Sequence, residues 1–438
     1  MARILIHTLR EHGHVLPTLK LARGLTAAGH QVEHLLTPWW REFCEAHGLS
    51  LRPYLGDIFP AAAEAAWARL DQAAREADAA QRRDARVRWL LAGGLDEVYR
   101  AAAPDLILGD AYDVSIPIVA RKLEIPVASL SPSCFQGREP GVPPLSSGAR
   151  WGTDAEARRA AEAEWARLAE ERRQAAGEWY PRYVEELLRV YAFPRAEFSW
   201  EGAIAPDFPR LPQLILCPRA FEFPRELPAR CHDDVASVTA VASAPAPALA
   251  EFLLRRPLVY CALGSQGLWR PQHHELLGQV LTLARRRPDL SFVIAGDAHA
   301  ADSLAAAAPS NAKVVAWAPQ HAVLRAASAM ISVGGMGTIK ECLWHAVPLV
   351  LVPQFNPYDA QGNAARVEHH GLGEALKPAE FFEEGRLEAA LGRALAGRYA
   401  AALGQIQAQL RAVEAGDRGV VLVERWLRGE AWPGEAME

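Results

Sequence analysis

Residues 331–353 read ISVGGMGTIKECLWHAVPLVLVP. A short apolar run enters a cluster of three glycines, Gly334, Gly335 and Gly337; a stretch of helical period follows, and a second apolar run closes the unit. Strand, tight turn, crossover helix and second strand make the repeating unit of a parallel sheet. The first N–H groups of such a helix have no partner inside it and carry partial positive charge, so an anion fits there when no side chain covers them. The helix is predicted from about Thr338, whose hydroxyl adds a donor. Glu341, three residues on, is placed to accept from a sugar diol. Taken alone, the glycines serve equally well to let strand and helix pack closely.

The same alternation extends outward through the chain. ARILIHT, QVEHLLT, PDLILGD, IPVASLS and PQLILCP form a first set of strands, and PLVYCALGS, LSFVIAG, AKVVAWAP, AMISVGG and VPLVLVP a second. Strands alternating with helical stretches predict an α/β protein with two Rossmann-like units. The length of 438 residues agrees, since one core rarely organises so long a chain. The boundaries are predicted as a first domain over residues 1–237, a linker over 238–250 around Pro245 and Pro247, and a second domain over 251–420. A last helix, within 421–438, is expected to pack back on the first domain. Two Ala/Arg/Glu-rich stretches, about 61–100 and 153–190, read as helices with solvated faces. Arg82, Arg83, Arg86 and Arg88 sit among Asp78 and Asp84, which favours a plain exposed face over a phosphate or membrane patch.

Half the residues are apolar and 23% are charged, the composition of a folded chain. A net charge of -5 offers no basic field for nucleic acid or anionic membrane. The opening MARILIHTLREHGH has too short an apolar run for a secretory signal, and no stretch approaches the ~20 apolar residues that cross a bilayer. A cytoplasmic chain with small-molecule partners is the expectation. Cys44, Cys134, Cys217, Cys231, Cys261 and Cys342 are scattered without metal-ligand spacing and read as buried free thiols.

Further pieces bear on the glycine loop. Gly264 and Ser265 end the strand PLVYCAL, at the sheet edge where open α/β sheets bind ligands. Trp317, in AWAPQHAVL, also follows a strand; it offers a flat face to a nucleobase or fills a core, and Gln320 is within reach of a ribose. Together, WAPQHAVL, VGGMGTIKE and VPLVLVPQF resemble the signature of the inverting GT-B glycosyltransferases that use nucleotide-activated sugars, among them macrolide and zeaxanthin glucosyltransferases. The resemblance spans nearly the whole chain. It implies two facing Rossmann-like domains, a UDP- or dTDP-sugar co-substrate, no other cofactor and no metal. It also implies that Trp317 stacks on the base, the Ala318 backbone reads the base edge, and Gln320 and Glu341 hold the ribose. Gly264, Ser265, Gly337 and Thr338 would surround the diphosphate, with the amides of 334–338. Asp359, in FNPYDAQGNAARV, matches the acidic member of an Asp-Gln pair on the donor sugar. Its glutamine is displaced, since Ala360 follows and Gln361 comes one later. Val333 stands where the family has a histidine that donates to phosphate; losing one hydrogen bond to a charged group costs roughly 1.5–3 kcal/mol.

For the chemistry, His14 follows the first strand, before a helix opened by Pro17, and an imidazole with an ordinary pKa near 6.5 suits a general base. His12 is its local rival, and a turn histidine that merely packs is the other reading. Asp110, ending PDLILGD, matches the carboxylate that orients the base, and Asp113 is the alternative. An apolar acceptor is expected against the first domain, near Trp39, Trp40, Cys134, Phe135 and the helices of 153–190, which serve equally as core. Domain closure about the linker near Pro245 is expected. The expected activity is transfer of a sugar to a hydroxyl of a hydrophobic natural product. A catalytically impaired relative of the same fold and a nucleotide-sugar epimerase are the competing readings, and a homodimer is compatible with either.

Overall fold

Apolar runs that are buried on both faces can only sit inside parallel sheets covered by helices, and the chain builds two of them. The computed structural model describes residues 1–67, 70–238, 247–264, 272–296, 298–353 and 358–430. Among these, the first sheet contains β1 (Arg3–His7), β2 (Gln31–Leu36), β3 (Ser50–Pro53), β4 (Leu106–Asp110), β5 (Val127–Ser131), β6 (Gln213–Ile215) and β7 (Cys231–His232), in the order β3-β2-β1-β4-β5-β6-β7. The second contains β8 (Leu258–Ala262), β9 (Ser291–Ala295), β10 (Ala312–Val315), β11 (Ala329–Ser332), β12 (Leu349–Leu351) and β13 (Gly373–Ala375), in the order β10-β9-β8-β11-β12-β13. Every pairing between these strands is parallel, with Ile4 opposite both Val32 and Leu106, and Tyr260 opposite both Met330 and Val293.

The strand order reverses between β1 and β4 in one sheet and between β8 and β11 in the other. At such a switch point the flanking loops run to opposite faces and leave a crevice beyond the strand ends. β4, β8 and β12 are buried at every residue, as their unbroken apolar character requires. The strands not foreseen, β3, β7 and β13, read SLRP, CH and GEA and lie at sheet edges. Short, polar edge strands carry no hydrophobic period by which to recognise them.

The stretch expected as helical over about 61–100 forms Ala61–Trp67, Gln72–Leu91 and Gly94–Ala102. Asp71 starts the second by accepting from the Ala74 N–H at 2.8 Å. One of its arginines departs from the expected solvated face: Arg86 reaches inward to Asp113 at 2.5 Å, whereas Arg82 pairs with Asp78 on the same helix at 2.7 Å, Arg83 pairs with Asp84 and Arg88 is exposed. The stretch over 153–190 forms Ala155–Gln174, capped by Asp154, and Trp179–Val190. All six cysteines are free and buried.

The helix Arg418–Leu427 lies against Leu19–Ala27 of the first domain, and Leu422 and Val423 join the cluster of Ile4, Ile6 and Leu25. Gly24 permits this approach, since a Cβ there would stand 2.6 Å from Val420. Residues 239–246, where the linker and its hinge at Pro245 are expected, and 431–438 lie outside the described residues. A second contact joins the two sheets' layers through the helix Ala360–His369. Arg366, fully buried, donates to Glu222 at 2.8 Å, and a Cβ at Gly362 would overlap the Leu145 carbonyl at 1.9 Å. Among the described residues, no helix is long and apolar enough to cross a membrane.

Candidate functional site

The two switch points face each other across a cleft of about 2050 Å³. On the first-domain side, β1 delivers the chain into one helical turn, His12–Val15, and a following turn that contains Pro17. This turn presents His14. Its Nδ1 lies 2.8 Å from Asp110 Oδ2 at the end of β4, the neighbouring strand. Asp110 is itself held by the Leu9 N–H at 3.1 Å and the Tyr112 N–H at 2.9 Å. In the neutral ring, with Nδ1–H donated to the carboxylate, Nε2 is the nitrogen that receives a proton. Burial by itself would lower the pKa of His14, but the charge and hydrogen bond of Asp110, aided by Glu11 and Asp359, outweigh it and raise the value to about 9. The expectation of an imidazole near 6.5 is therefore corrected: in the unliganded protein His14 carries a proton at neutral pH.

Of the two alternatives, His12 lines the same cleft without a carboxylate hydrogen bond of its own among the described residues, and Asp113 is bound elsewhere. His12 lies 4.8 Å from the Trp40 ring, and burial lowers its pKa. Asp113 is bound to Arg86 and to the Ser115 N–H and hydroxyl, at 2.5, 3.0 and 2.6 Å. It belongs to a buried network with His7, whose ring nitrogens meet Tyr99 at 2.7 Å and Tyr54 at 2.9 Å. Burial lowers the His7 pKa to about 4.

On the second-domain side, Gly334 has φ +88°, Gly335 is the N-cap, and the helix Met336–His345 begins two residues earlier than expected. A Cβ added at Gly335 or Gly337 would meet nothing within 4 Å. Close packing therefore does not require glycine at either position; the space before these amides is open cleft. Gly264, with φ +82°, lines the same cleft, while Ser265 lies outside the described residues. Trp317 is 67% exposed and lines the cleft, so it is not a core residue. Beside it, Ala318 is buried and Gln320 donates to Glu341 at 2.7 Å and Thr338 at 3.3 Å. Burial raises the Glu341 pKa to about 7, partly offset by the Gln320 hydrogen bond and by Lys340. Val333 is half-buried, packs against the apolar core and lines the cleft without a donor.

Asp359 precedes the helix Ala360–His369 and accepts from Asn363 at 3.0 Å and from Ser133 of the first domain at 2.6 Å. Ser133 was not anticipated, because its relation to Asp359 exists only once the domains meet. Gln361 lies against Gly148 and is not part of the cleft wall. Two further residues escaped sequence reasoning: His321 and His345, whose rings share a contact of 3.0 Å beneath Glu341.

Residues 279–415 match the family described as erythromycin biosynthesis protein CIII-like, C-terminal domain. The oleandomycin glycosyltransferase of Streptomyces antibioticus is 26% identical over 436 residues, which cover 95% of this chain and 89% of that protein. Among solved structures, the glycotransferase of kitacinnamycin superposes with a TM-score of 0.71 at 24% identity, over 97% of this chain and 99% of that one. The glycosyltransferase VinC in complex with dTDP gives 0.62 at 20% identity, over 97% and 100%. The chain has the GT-B fold of these glycosyltransferases.

Within this fold the single residues expected at the acceptor, Trp39, Trp40, Cys134 and Phe135, do not line the cleft. Cys134 is buried with its sulfur 3.4 Å from that of Cys217, and Phe135 is buried beneath the Arg225 guanidinium. Trp40 is core, its indole donating to the Arg10 carbonyl at 3.0 Å. Trp39 is exposed, but away from the cleft. The helices of 153–190, the other part of the expected wall, do line the cleft, through Leu168, Arg172, Trp179 and Tyr180, and Trp200 from the segment after them joins them. Trp200 lies outside the expected stretch and was not anticipated.

Proposed function

We propose that this protein is a glycosyltransferase that moves a sugar, with inversion, from a UDP- or dTDP-linked donor to a hydroxyl of a hydrophobic natural-product acceptor. One observation carries the reading. An imidazole held by a carboxylate and a helix start with open space before Gly335 and Gly337 face the same cleft from opposite sides. The acceptor oxygen attacks the anomeric carbon from the His14 side and gives its proton to Nε2. The bond from that carbon to the diphosphate breaks on the opposite face, and the leaving charge is taken by the amides and dipole of the helix Met336–His345. Trp317 covers the base, Gln320 and Glu341 hold the ribose, and Asp359 meets the sugar hydroxyls. The aromatic wall of Trp179, Tyr180 and Trp200 suits an apolar acceptor. The complex of VinC with dTDP supports a diphosphate donor.

Turnover measured with a panel of UDP- and dTDP-sugars against apolar polyol acceptors tests this, with the anomeric configuration of the product read by NMR. His14→Ala is expected to lower turnover by about 10²–10⁴ while nucleotide binding persists. Undiminished turnover, or a product of retained configuration, would refute the mechanism. Val333 favours a second reading, a relative that binds nucleotide without transferring sugar. Binding of dTDP or UDP with no product from any donor would support it.

A further inference from the structure

Lys340 belongs to the helix that begins at Met336, yet its side chain is 2% exposed. A helical side chain leans toward the N-terminus, over the residues three and four positions earlier. Here those are Gly337 and Met336, the first turn of the proposed diphosphate cradle, and Lys340 itself lines the cleft. Its ammonium donates to the Leu216 carbonyl at 2.7 Å and to the Ser237 hydroxyl at 2.9 Å. An ammonium has three N–H donors, so one remains without an acceptor among the described residues. Both existing partners are neutral. The nearby Glu414 is committed elsewhere, to the Ser237 and Val238 N–H groups at 2.7 and 2.9 Å and to Lys20 at 3.0 Å. Burial lowers the Lys340 pKa, and Glu414 and Glu341 counter it only through space, with no hydrogen bond to the ammonium; a buried cation so placed is costly unless an anion arrives.

We propose that Lys340 is the electrostatic partner of the donor's diphosphate, giving the cradle the positive charge that Val333 cannot give. This rests on the diphosphate reading of the glycine loop. Lysine serves phosphate as a compact charge on a flexible stem. The ammonium of this cleft-lining residue is held by two neutral acceptors, which leaves its third N–H to be offered to a phosphoryl oxygen.

Lys340→Met tests it. The substitution leaves no orphaned acceptor, because the Ser237 hydroxyl also donates to the Leu216 carbonyl at 3.0 Å; the variant is therefore expected to fold, as checked by its melting curve. Calorimetric titration of wild type and variant with thymidine, dTMP and dTDP, and with uridine, UMP and UDP, reads the effect. Affinity for the nucleosides is expected to be unchanged. The loss is expected to grow with phosphate charge, reaching about ten- to a hundred-fold for the diphosphates, with a weaker salt dependence than wild type. Equal diphosphate affinity in the two proteins, or the same loss for nucleoside and diphosphate, would overturn the role of Lys340 alone. Failure of wild type to bind either diphosphate would overturn the cradle reading, and this proposal with it.

Discussion

Replacing Asp110 by asparagine isolates the charge on which His14 depends. The carboxylate lies 2.8 Å from Nδ1, and the imidazole side chain is only 17% exposed. A rise from the ordinary 6.5 to about 9 corresponds to about 3 kcal/mol of preference for the protonated ring. Without the charge, burial dominates and the pKa is expected to fall below 6.5. Asparagine can still accept from Leu9 or Tyr112, so the strand end is kept. It can also offer its NH₂ to Nδ1, which places the ring proton on Nε2 and removes the acceptor that catalysis needs. Loss of turnover of about 10²–10⁴ is expected, as for a base held in the wrong tautomer. The pH profile adds an independent test. The acid limb of kcat/KM, set by deprotonation of the free enzyme's base, is expected near 9 in wild type and below 6.5 in the variant. Stability moves in the opposite sense. A raised histidine pKa stabilises the fold fully below pH 6.5, and this contribution is lost as pH climbs through 9. The melting temperatures of wild type and variant should therefore differ most at pH 6 and converge above 9. An acid limb that stays in place in Asp110→Asn, or unchanged turnover, would refute the role given to the pair.

Trp317→Ala removes an exposed ring, so the melting temperature should hold while calorimetry shows dTDP and UDP binding weakened about ten-fold. Glu341, with a pKa raised to about 7, is ionised only above that value; if its carboxylate holds the ribose, nucleotide affinity should rise between pH 6 and 8, and Glu341→Gln should flatten the dependence. Gly362→Ala would drive a Cβ to 1.9 Å from the Leu145 carbonyl, both of them backbone contacts that cannot swing aside, so a loss of about 1–3 kcal/mol in denaturant unfolding is expected. An unchanged unfolding midpoint would show that the helix Ala360–His369 and the first domain are free to part.

The ten apolar runs were legible as strands, and the turn in VGGMGT as a helix start, because hydrophobic period and glycine act within a dozen residues of chain. Trp317, Gln320 and Glu341 were legible as a group for the same reason: two successive β–loop–α units of one sheet carry them to one edge. What lay beyond the sequence depended on contacts between distant segments. Arg86 looked solvated in its own helix until Asp113, 27 positions on, drew it inward. Cys134 and Phe135 are apolar enough for a wall or a core, and only the packing of 134–135 against Cys217 and Arg225 decided for the core. His14 and Asp110 could each be named as candidates, but the pKa of about 9 arises from a 2.8 Å contact across 96 positions of chain. Chain-local pattern thus determined the two sheets and the glycine-opened helix start. The tertiary structure decided which charges are buried together, because desolvation and Coulomb energy depend on distance in space, of which sequence separation carries no record.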